Sequence, residues 1–441
     1  MRVMSEIARE LRLRFEQRSA TVGIVGLGYV GLPLVIAFGK AGFRVLGVDA
    51  DPARVTRLQS GDSPIEDVSS STLVELLRSG RFTVNSHAEL LTQADAILIC
   101  VPTPLGKSKE PDISYIVAAA DAVARILHPG QLVILESTTY PGTTEEVLLP
   151  RFQARGLTVG REFFLAFSPE RIDPGNKHYD LSRIPKVVGA VTPTCVELAR
   201  ILYSQIIEQV VLVSSPQVAE MVKLFENVFR SVNIALVNEL ALLCRRLGLS
   251  VWEVIEAAAT KPFGYMPFYP GPGIGGHCIP TDPYYLSWRA RLAGHEPRFI
   301  TFADEINQQM PGYVVQLAAD ALNDRGKHVR GATILVLGVA YKPGVGDTRE
   351  SPAVEIMELL RAKGAKVAYV DPHVPEFTLG QECLTSLSWE TVDLTAWDLV
   401  LILTNHPEFD PKRVVREATL VLDTRNATGG EPGPLPHVIR L

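Results

Sequence analysis

A spaced run of glycines near the N-terminus limits the fold more than any other feature of this sequence. The segment Gly26–Gly31 has glycine at its first, third and last positions, and it lies between the apolar stretch 21–25 and a helical pattern. A second apolar stretch, Arg44–Val48, ends in Asp49, 18 residues beyond the last glycine. Strand, glycine turn, helix, strand and acid together are the fingerprint of a dinucleotide-binding βαβ unit. A glycine turn in another kind of α/β protein is the weaker alternative.

Each residue of this fingerprint has its own predicted task. Gly26 allows a tight turn, Gly28 lets the backbone approach a pyrophosphate at the helix N-terminus, and Gly31 permits close packing of helix on strand. Asp49 is predicted to accept hydrogen bonds from the adenosine ribose hydroxyls. Because its charge and that of Asp51 would repel a 2′-phosphate, the sequence favours NAD over NADP.

Strand and helix candidates continue to alternate up to about residue 215, which predicts a parallel sheet with helices on both faces. The further strand candidates are Ala96–Val101, Leu132–Glu136, Phe164–Phe167 and Lys186–Gly189. One long helix is predicted from Pro216 to about Leu247, where it would join domains or subunits. Helical segments continue to about Asn323, with a break rich in Pro, Gly and aromatic residues at Pro262–Pro272.

A second block of alternating strands and helices begins near Gly331, and it has no glycine fingerprint. Its strand candidates are Thr333–Gly338, Lys366–Val370, Leu399–Thr404 and Thr419–Asp423. The second of these ends in Asp371, as the earlier strand ends in Asp49. This block therefore resembles a second nucleotide-binding domain that has lost its glycines.

Composition and charge exclude several classes of protein. The 441 residues are 46% hydrophobic and 21% charged, with a net charge of −6, so nothing indicates a nucleic-acid partner. No uninterrupted apolar run approaches the roughly 20 residues that span a bilayer, which predicts no membrane insertion. The first 20 residues mix arginines with glutamates and predict a short amphipathic helix, a mitochondrial presequence being the weaker alternative. Five dispersed cysteines predict neither a disulfide framework nor a metal cluster, and they fit a reducing cytoplasm.

Cys278 stands between two glycines and a proline, in the segment Gly275–Asp282. A chain with one soft nucleophile and one dinucleotide site can capture an aldehyde and oxidise it further to an acid. Pro283 suits the first position of a helix and Asp282 its N-cap, and a thiol near a helix N-terminus has its thiolate favoured. A small buried cysteine beside a capped helix is an equally good interpretation of this segment alone.

Four other polar positions are candidates for the same chemistry. Lys223 and Asn227 are four residues apart, so they share one face of the long helix and could hold a developing oxyanion, although a solvated face is the more common outcome. Glu170 and Thr138 each follow a predicted strand end, where open sheets bind ligands. An ordinary surface acid and a polar turn are the alternatives for these two.

Six segments taken together resemble the nucleotide-sugar 6-dehydrogenases, the UDP-glucose/UDP-N-acetylhexosamine dehydrogenase family. They are Gly26–Gly31, Glu136–Thr143, Phe167–Glu170, Lys223–Asn227, Gly275–Asp282 and Ala340–Pro352. The resemblance runs from Gly23 to about Gly429, and such ordered agreement is far more specific than the dinucleotide fingerprint alone. Thr139–Gly142, Ser168–Asn176 and Pro267–Pro272 look like the branch of the family that oxidises UDP-N-acetylglucosamine. Some UDP-glucose enzymes have a second glutamate four residues after the equivalent of Glu170, but Pro174 stands there in this chain.

The resemblance implies a fold, a division of the chain and a reaction. The fold is α/β, with two Rossmann-like doubly wound parallel-sheet domains joined by a long central helix and a helical dimerisation region. The implied segments are an N-terminal helical extension at 1–20, an NAD-binding domain at 21–215, a central dimerisation domain at 216–325 and a UDP-sugar-binding domain at 326–441. The reaction is a four-electron oxidation of the sugar C6 hydroxyl to a carboxylate, with NAD as the cofactor, through a cysteine thiohemiacetal and thioester. The expected change is from UDP-N-acetylglucosamine to UDP-N-acetylglucosaminuronate.

The resemblance also assigns roles by position. Cys278 would be the nucleophile, Lys223 and Asn227 would stabilise oxyanions, and Asp282 would support water and the lysine ammonium. Glu170 and Thr138 would place and activate water, with Glu170 as the expected proton acceptor. The implied cofactor contacts are Gly26, Gly28, Tyr29, Val30, Gly31, Asp49, Arg54, Thr103, Thr138 and Arg349. The implied substrate contacts are Glu170, Arg171, Lys223, Asn227, Phe268, Gly275, Tyr341 and Lys342.

Three alternatives stay open on the sequence alone. The nearest is the same reaction on UDP-N-acetylmannosamine or UDP-glucose, since the Pro262–Gly273 loop gives no epimer preference. A two-electron β-hydroxyacid dehydrogenase shares a Rossmann domain followed by helices, but it needs neither Cys278 nor a second αβ domain containing Lys342. A nucleotide-sugar-binding protein without activity would have no use for an intact fingerprint, Cys278 and Lys223. The expected location is the cytoplasm, and the expected assembly is a homodimer or a larger homo-oligomer.

Overall fold

The structure, a computed structural model, describes residues 4–65, 68–172, 181–276, 278–430 and 435–441. These form two compact units, the first made of Met1–Glu226 with Tyr284–Gly294 and the second of Asn227–Pro283 with His295–Leu441. Each unit is built on its own mainly parallel sheet. The finer division into four segments stays a prediction. The predicted motif residues 173–176 and His277 lie outside the described residues.

The first unit contains an eight-stranded sheet. Its strands are β1 (Thr21–Val25), β2 (Arg44–Val48), β3 (Phe82–Asn85), β4 (Ala96–Ile99), β5 (Leu132–Leu135), β6 (Phe164–Phe167), β7 (Lys186–Ala190) and β8 (Val210–Leu212). Their spatial order is β3-β2-β1-β4-β5-β6-β7-β8, and the first six follow the doubly wound order of dinucleotide-binding sheets. This confirms the predicted fold class.

One strand pair departs from the parallel pattern. β6 and β7 run antiparallel, with Ala166 opposite Ala190 and Phe167 opposite Gly189, whereas the other neighbours in this sheet are parallel. The sequence predicts a uniformly parallel sheet, so this pair is a correction. Apolar strands buried on both faces look alike in either direction, and the direction depends on the path of the connecting loop.

Helices cover both faces of this sheet. They are α1 (Glu6–Glu16), α2 (Gly31–Ala41), α3 (Pro52–Gln59), α4 (Ser70–Arg78), α5 (Ser114–Ile126), α6 (Leu149–Gln153) and α7 (Pro193–Tyr203). A π-helical turn, Thr144–Leu148, leads into α6. The amphipathic helix predicted near the N-terminus is α1, whose Leu11 and Phe15 are buried in the core cluster on one face of the sheet. Side-chain caps fix several helix starts, as where Asp51 accepts from the Ala53 N–H ahead of Pro52.

The second unit contains a five-stranded parallel sheet and a separate hairpin. Its strands are β9 (Thr333–Leu337), β10 (Lys366–Val370), β11 (Glu376–Leu379), β12 (Glu382–Thr385), β13 (Leu399–Ile402), β14 (Val421–Asp423) and β15 (Val438–Arg440). The sheet order is β10-β9-β13-β14-β15, and β11 pairs with β12. The helices of this unit are α9 (Val251–Ala259), α11 (Arg298–Asn323), α12 (Pro352–Ala362) and α13 (Pro411–Glu417).

Two further helices contribute residues to both units. They are α8 (Pro216–Leu247) and α10 (Cys278–Leu292). By length and composition α8 could cross a bilayer, but 39% of its most apolar window is buried, and core helices of globular proteins pass the same test. The prediction that no segment inserts into a membrane stays a prediction.

The start of α10 differs from the sequence prediction. The helix begins at Cys278, so Asp282 and Pro283 lie inside it rather than at its N-cap and first turn. Pro283 is the sixth residue of the helix, where it removes one backbone hydrogen bond of the helix. Asp282 is therefore not a cap, and its side chain has another partner, described below.

Candidate active site

The glycine turn between β1 and α2 has the shape that a dinucleotide requires. Gly26 has φ +89°, and a Cβ there would lie 2.5 Å from the Cys100 carbonyl oxygen. A Cβ on Gly31 would lie 1.9 Å from the carbonyl oxygen of Gly26, whereas one on Gly28 would meet nothing within 4 Å. The first and last glycines are thus fixed by backbone packing. The middle one faces open space at the start of α2, where a pyrophosphate can approach the backbone N–H groups.

Asp49 lies at the carboxyl end of β2 and is buried. Its Oδ2 accepts from the Leu27 N–H at 2.7 Å and from Arg54 Nη1 at 3.0 Å, and its Oδ1 accepts from the Asp51 N–H at 2.9 Å. The Oδ1 atom keeps a lone pair for a ribose hydroxyl. Asp49 and Arg54, both predicted cofactor contacts, are therefore one ion pair beside the glycine turn.

The other predicted cofactor contacts are dispersed. Tyr29 is exposed within the turn, and Val30 immediately precedes α2. Thr103 is buried in the loop after β4. Arg349 belongs to the second unit, where its Nη2 lies 2.6 Å from Asp347 Oδ2.

Lys223 and Thr138 contact each other in the first unit. The Lys223 ammonium donates to Thr138 Oγ1 at 2.5 Å, and Lys223 is only 9% exposed. Thr138 follows β5 by three residues. The common alternative for Lys223, a solvated helix face, does not hold.

Asn227 lies one turn further along α8, and it belongs to the second unit. Its amide Nδ2 donates to Asp282 Oδ2 at 2.6 Å, and both side chains are buried. Asp282 is the fifth residue of α10, one turn after Cys278. The first turn of the helix that begins with the thiol is thus tied to α8 by a buried, charge-assisted hydrogen bond.

Cys278 is the first residue of α10, and it is exposed. The partial positive charge of a helix N-terminus favours a thiolate at this position. The preceding loop lies close against Tyr341, because a Cβ on Gly275 would be 2.8 Å from Tyr341 Cβ. Gly276 has φ +85°, and its N–H donates to the Arg349 carbonyl oxygen at 3.2 Å. The structure therefore brings together the thiol loop and two predicted contact residues of the 340–352 segment.

Asp371 supports the segment that contains Tyr341 and Lys342. It ends β10, and its Oδ2 accepts from the Val339 and Ala340 N–H groups at 2.8 and 3.0 Å. His406 donates from Nε2 to the same oxygen at 3.0 Å, and its Nδ1 accepts from the Gly344 N–H at 3.2 Å. Burial raises the pKa of Asp371, but the bonds from His406 and the backbone outweigh it and leave the pKa lowered. Asp371 thus occupies the place in the second sheet that Asp49 has in the first.

A group of possible metal ligands lies next to this aspartate. His373, His406 and Glu408 have ligand atoms within 4.8 Å of one another. Both ring nitrogens of His406 already have protein partners, so we assign no metal to this group.

Glu170 is buried three residues after β6, and it is surrounded by donors. Its Oε1 accepts from the Arg171 and Ile172 N–H groups, each at 2.7 Å. Its Oε2 accepts from Lys186 Nζ at 2.9 Å. Burial alone raises the pKa of Glu170, but the Lys186 ammonium and the two N–H groups outweigh it and lower the pKa. The carboxyl is thus held ionised.

Two predicted substrate contacts have protein partners of their own. Arg171 forms a bidentate pair with Glu226, with Nη2 to Oε1 at 2.6 Å and Nε to Oε2 at 3.1 Å. Phe268 is partly buried and packs edge-on against Phe229, with ring centroids 5.7 Å apart.

Lys186, which pairs with Glu170, and Glu136, which pairs with Lys186, were not among the site residues predicted from the sequence. Lys186 begins a strand of buried residues, and Glu136 directly follows another. Buried charges need partners, so a lysine and a glutamate in line with apolar strands were a usable signal.

Comparison with known proteins agrees with this geometry. Models of the UDP-glucose/GDP-mannose dehydrogenase family match along the chain, the NAD binding domain at residues 20–207, the central domain at 217–309 and the UDP binding domain at 335–430. The chain belongs to this family, and its cofactor is NAD. It is an NAD-dependent UDP-sugar dehydrogenase, which removes the β-hydroxyacid dehydrogenase alternative.

Individual relatives divide over the sugar. A UDP-N-acetyl-D-glucosamine 6-dehydrogenase of Pseudomonas aeruginosa is 37% identical over 391 residues, 88% of this chain and 91% of that protein. A UDP-N-acetyl-D-mannosamine dehydrogenase of Pyrococcus horikoshii is 38% identical over 389 residues, 88% of this chain and 90% of that protein. The solved structure of the UDP-D-ManNAc dehydrogenase from Pyrococcus horikoshii superimposes with a TM-score of 0.85 at 35% identity, covering 95% of this chain and 98% of that one.

Proposed function

We propose that this enzyme oxidises C6 of UDP-N-acetylglucosamine to the carboxylate, giving UDP-N-acetylglucosaminuronate. The observation that carries the proposal is the exposed thiol of Cys278 at the first residue of α10. A dehydrogenase that stopped at the aldehyde would need no thiol. One that continues to the acid needs a nucleophile to hold the aldehyde.

In the first oxidation the C6 hydroxyl would lose its proton, through water, to the Glu170 carboxylate, and the C6 oxygen then needs a partner for its negative charge. NAD, when bound, supplies a hydride acceptor for each of the two oxidations. The buried Lys223 ammonium would stabilise negative charge on the C6 oxygen, with the Asn227 amide one turn away on the same helix. Thr138, which accepts from Lys223, would orient that ammonium and water.

The second oxidation would proceed on the enzyme itself. The Cys278 thiolate attacks the aldehyde carbon and forms a C–S bond, and the carbonyl oxygen takes a proton to give a thiohemiacetal. Loss of the C6 hydrogen as hydride and of the hydroxyl proton leaves a thioester. Water attacks the thioester while the Glu170 carboxylate accepts a proton, and the C–S bond breaks to release the acid and the thiolate.

The N-acetylglucosamine assignment depends on two segments, 168–176 and 267–272, which resemble that branch of the family. UDP-N-acetylmannosamine is the second candidate substrate, because the Pyrococcus horikoshii relative is a UDP-N-acetyl-D-mannosamine dehydrogenase. A panel of UDP-N-acetylglucosamine, UDP-N-acetylmannosamine and UDP-glucose tests this. We expect the highest kcat/KM for UDP-N-acetylglucosamine. A much higher value for UDP-glucose would overturn the branch assignment and leave the reaction class in place.

The assembly proposed for this enzyme is a homodimer formed through α8. Phe229, Leu236, Leu243 and Leu247 are exposed apolar side chains on that helix. Their spacing places them within a narrow stripe of the helix surface. Such a stripe marks an interaction surface, and a second copy of the chain would cover it. Light scattering on a Leu236→Glu variant should then report a monomer, where the parent enzyme gives a dimer.

The cytoplasm is the proposed location. All five cysteines are dispersed and none is in a disulfide, which fits a reducing compartment.

A further inference from the structure

We propose that Lys186 is a positioning residue for the hydrolytic step. Its ammonium fixes the Glu170 carboxylate in one ionised orientation, ready to take a proton from the attacking water. This inference rests on the proposed function, which gives Glu170 that task.

The Lys186 ammonium donates hydrogen bonds to two carboxylates inside the first unit. Its Nζ donates to Glu136 Oε2 at 2.6 Å and to Glu170 Oε2 at 2.9 Å, and Lys186 is only 3% exposed. The Tyr203 hydroxyl donates to the other oxygen of Glu136, and its ring centroid lies 5.4 Å from Nζ. The ammonium therefore has little freedom, and neither has the carboxylate that it holds.

The antiparallel strand pair explains how Lys186 meets Glu170. The register of β6 and β7 pairs Ala166 with Ala190 and Phe167 with Gly189. Continued by three residues, the same register places Glu170 opposite Lys186. If β7 ran parallel to β6, its first residue, Lys186, would lie at the opposite end of β6 from Glu170. The departure from a uniformly parallel sheet thus builds this contact.

The hydrogen bonds of Glu170 leave one place for a water. Oε1 already accepts two backbone N–H groups, and among the described residues Oε2 accepts only the Lys186 ammonium. A carboxylate oxygen has two lone pairs, so the remaining acceptor position is on Oε2. The lysine thereby selects which oxygen can act as the base.

The charge balance of the cluster argues against a purely structural role. Two buried carboxylates share one ammonium, so the group carries one surplus negative charge, which costs more than a simple pair. Burial raises the pKa of Glu136, whereas that of Glu170 is lowered on balance. Two acids whose pKa values are driven apart are typical of an acid–base site.

The other titratable groups around Glu170 are few among the described residues. They are Glu136 after β5, Tyr203 on α7, Cys100 after β4, and the Arg171–Glu226 pair next to it. Burial raises the pKa of Tyr203 and that of Cys100 well above their usual values, so neither is charged near neutral pH. Among the described residues, Lys186 is therefore the cation that contributes most to the lowered pKa of Glu170.

The test compares Lys186→Gln with Glu170→Gln. Loss of the ammonium raises the pKa of Glu170, so the acid limb of the kcat profile should move to higher pH. At neutral pH we expect kcat to fall by about tenfold or more with KM little changed, because general-base catalysis is lost. Intact mass after acid quench should show the substrate acyl group on Cys278 in both variants. Lys186→Arg keeps a cation and should restore most of the turnover.

A folding control is needed because Lys186→Gln leaves two buried carboxylates without a cation. The double variant Lys186→Met with Glu136→Gln removes one of those charges and should be more stable, yet it should show the same shifted acid limb and the same trapped adduct. Asp95→Asn breaks an ion pair between Asp95, which directly precedes β4, and the partly exposed Arg14. It should lower Tm and leave the acid limb in place.

The outcomes separate the two proposals. If Glu170→Gln traps no adduct and keeps its acid limb, the proposed task of Glu170 is wrong, and this inference fails with it. A different result would overturn only the role of Lys186. In that case Glu170→Gln traps the acyl adduct on Cys278, whereas the folded Lys186 variants neither trap it nor shift the acid limb of the kcat profile.

Discussion

At the scale of single residues, the thiol of Cys278 is the group on which the proposed chemistry depends most. Cys278→Ser keeps the size of the side chain and its place at the start of α10. We expect this variant to bind UDP-sugar normally and to lose turnover to the acid, because a hydroxyl is a poor nucleophile without a dedicated base. Calorimetry measures the binding, and chromatography of the UDP-sugar acid measures the turnover.

Cys383 provides the matched control. It is also exposed, but it lies in the β11–β12 hairpin. Cys383→Ser should leave turnover as it was. Full oxidation by Cys278→Ser at the parent rate would rule out the covalent mechanism.

We expect cofactor choice to depend on a second residue, Asp49. Asp49→Ala removes an acceptor for the ribose and leaves Arg54 without its partner. We expect NAD binding to weaken and the penalty against NADP to shrink, because an unpaired guanidinium near the ribose suits a 2′-phosphate. Initial rates with each cofactor give the preference ratio.

Asp371→Ala is the corresponding change at the end of β10 in the second sheet. It should lower Tm without altering the NAD/NADP ratio. An unchanged ratio in Asp49→Ala would show that Asp49 does not face the ribose.

Residue identities were predictable from the sequence where a motif sets the chemistry, as with the glycines of 26–31. The hydrogen-bond partners of the site residues were less predictable from the sequence. The pairing of Asp282 with Asn227 depends on where α10 begins, and a proline at position 283 gave a misleading start signal. The Lys186–Glu170 contact depends on strand direction, which apolar patterning does not encode.

At the scale of elements, α8 contains two proposed site residues one turn apart, Lys223 and Asn227. Lys223→Ala should reduce kcat far more than it raises KM, because in the proposed mechanism the ammonium stabilises charge that grows in the transition state. A loss of about a hundredfold or more is typical for such a donor. Steady-state kinetics with saturating NAD gives both constants, and Lys40→Ala on the exposed surface of α2 is the control.

The neighbouring amide supplies the more specific half of this prediction. Asn227→Ala should lower kcat less than Lys223→Ala does, because the amide is neutral. Losses in the double variant should fall short of the sum, because both groups would hold one oxygen. Strictly additive losses, or a normal kcat in Lys223→Ala, would mean that this face of α8 takes no part in catalysis.

Element existence followed closely from hydrophobic pattern and turn residues. The predicted bounds of β1, β2 and β10 agree with the structure, and so do both ends of α8. Five strands were not predicted from the sequence, namely β3, β8, β15 and the two strands of the β11–β12 hairpin. Each is only three or four residues long, which is too short a pattern to separate from a loop.

At the scale of the whole molecule, the chain contains two mainly parallel sheets that differ in their nucleotide-binding features. The first has the glycine turn, and the second has lost it but keeps an aspartate at the equivalent strand end. This duplication was visible in the sequence, since both blocks show the same order of strand, helix, strand and acid. The identity of the sugar could not be predicted from the sequence. Epimers differ only in the orientation of one substituent, and the loop at 262–273 has no motif that indicates which epimer is bound.

The count of NADH formed per UDP-sugar tests the central claim most directly. The measurement supplies limiting UDP-N-acetylglucosamine, or the best sugar of the panel, with excess NAD, and follows absorbance to completion. A four-electron oxidation through Cys278 predicts two NADH per sugar, together with one equivalent of the UDP-sugar acid. One NADH per sugar, with the aldehyde or its hydrate as the product, would contradict the account.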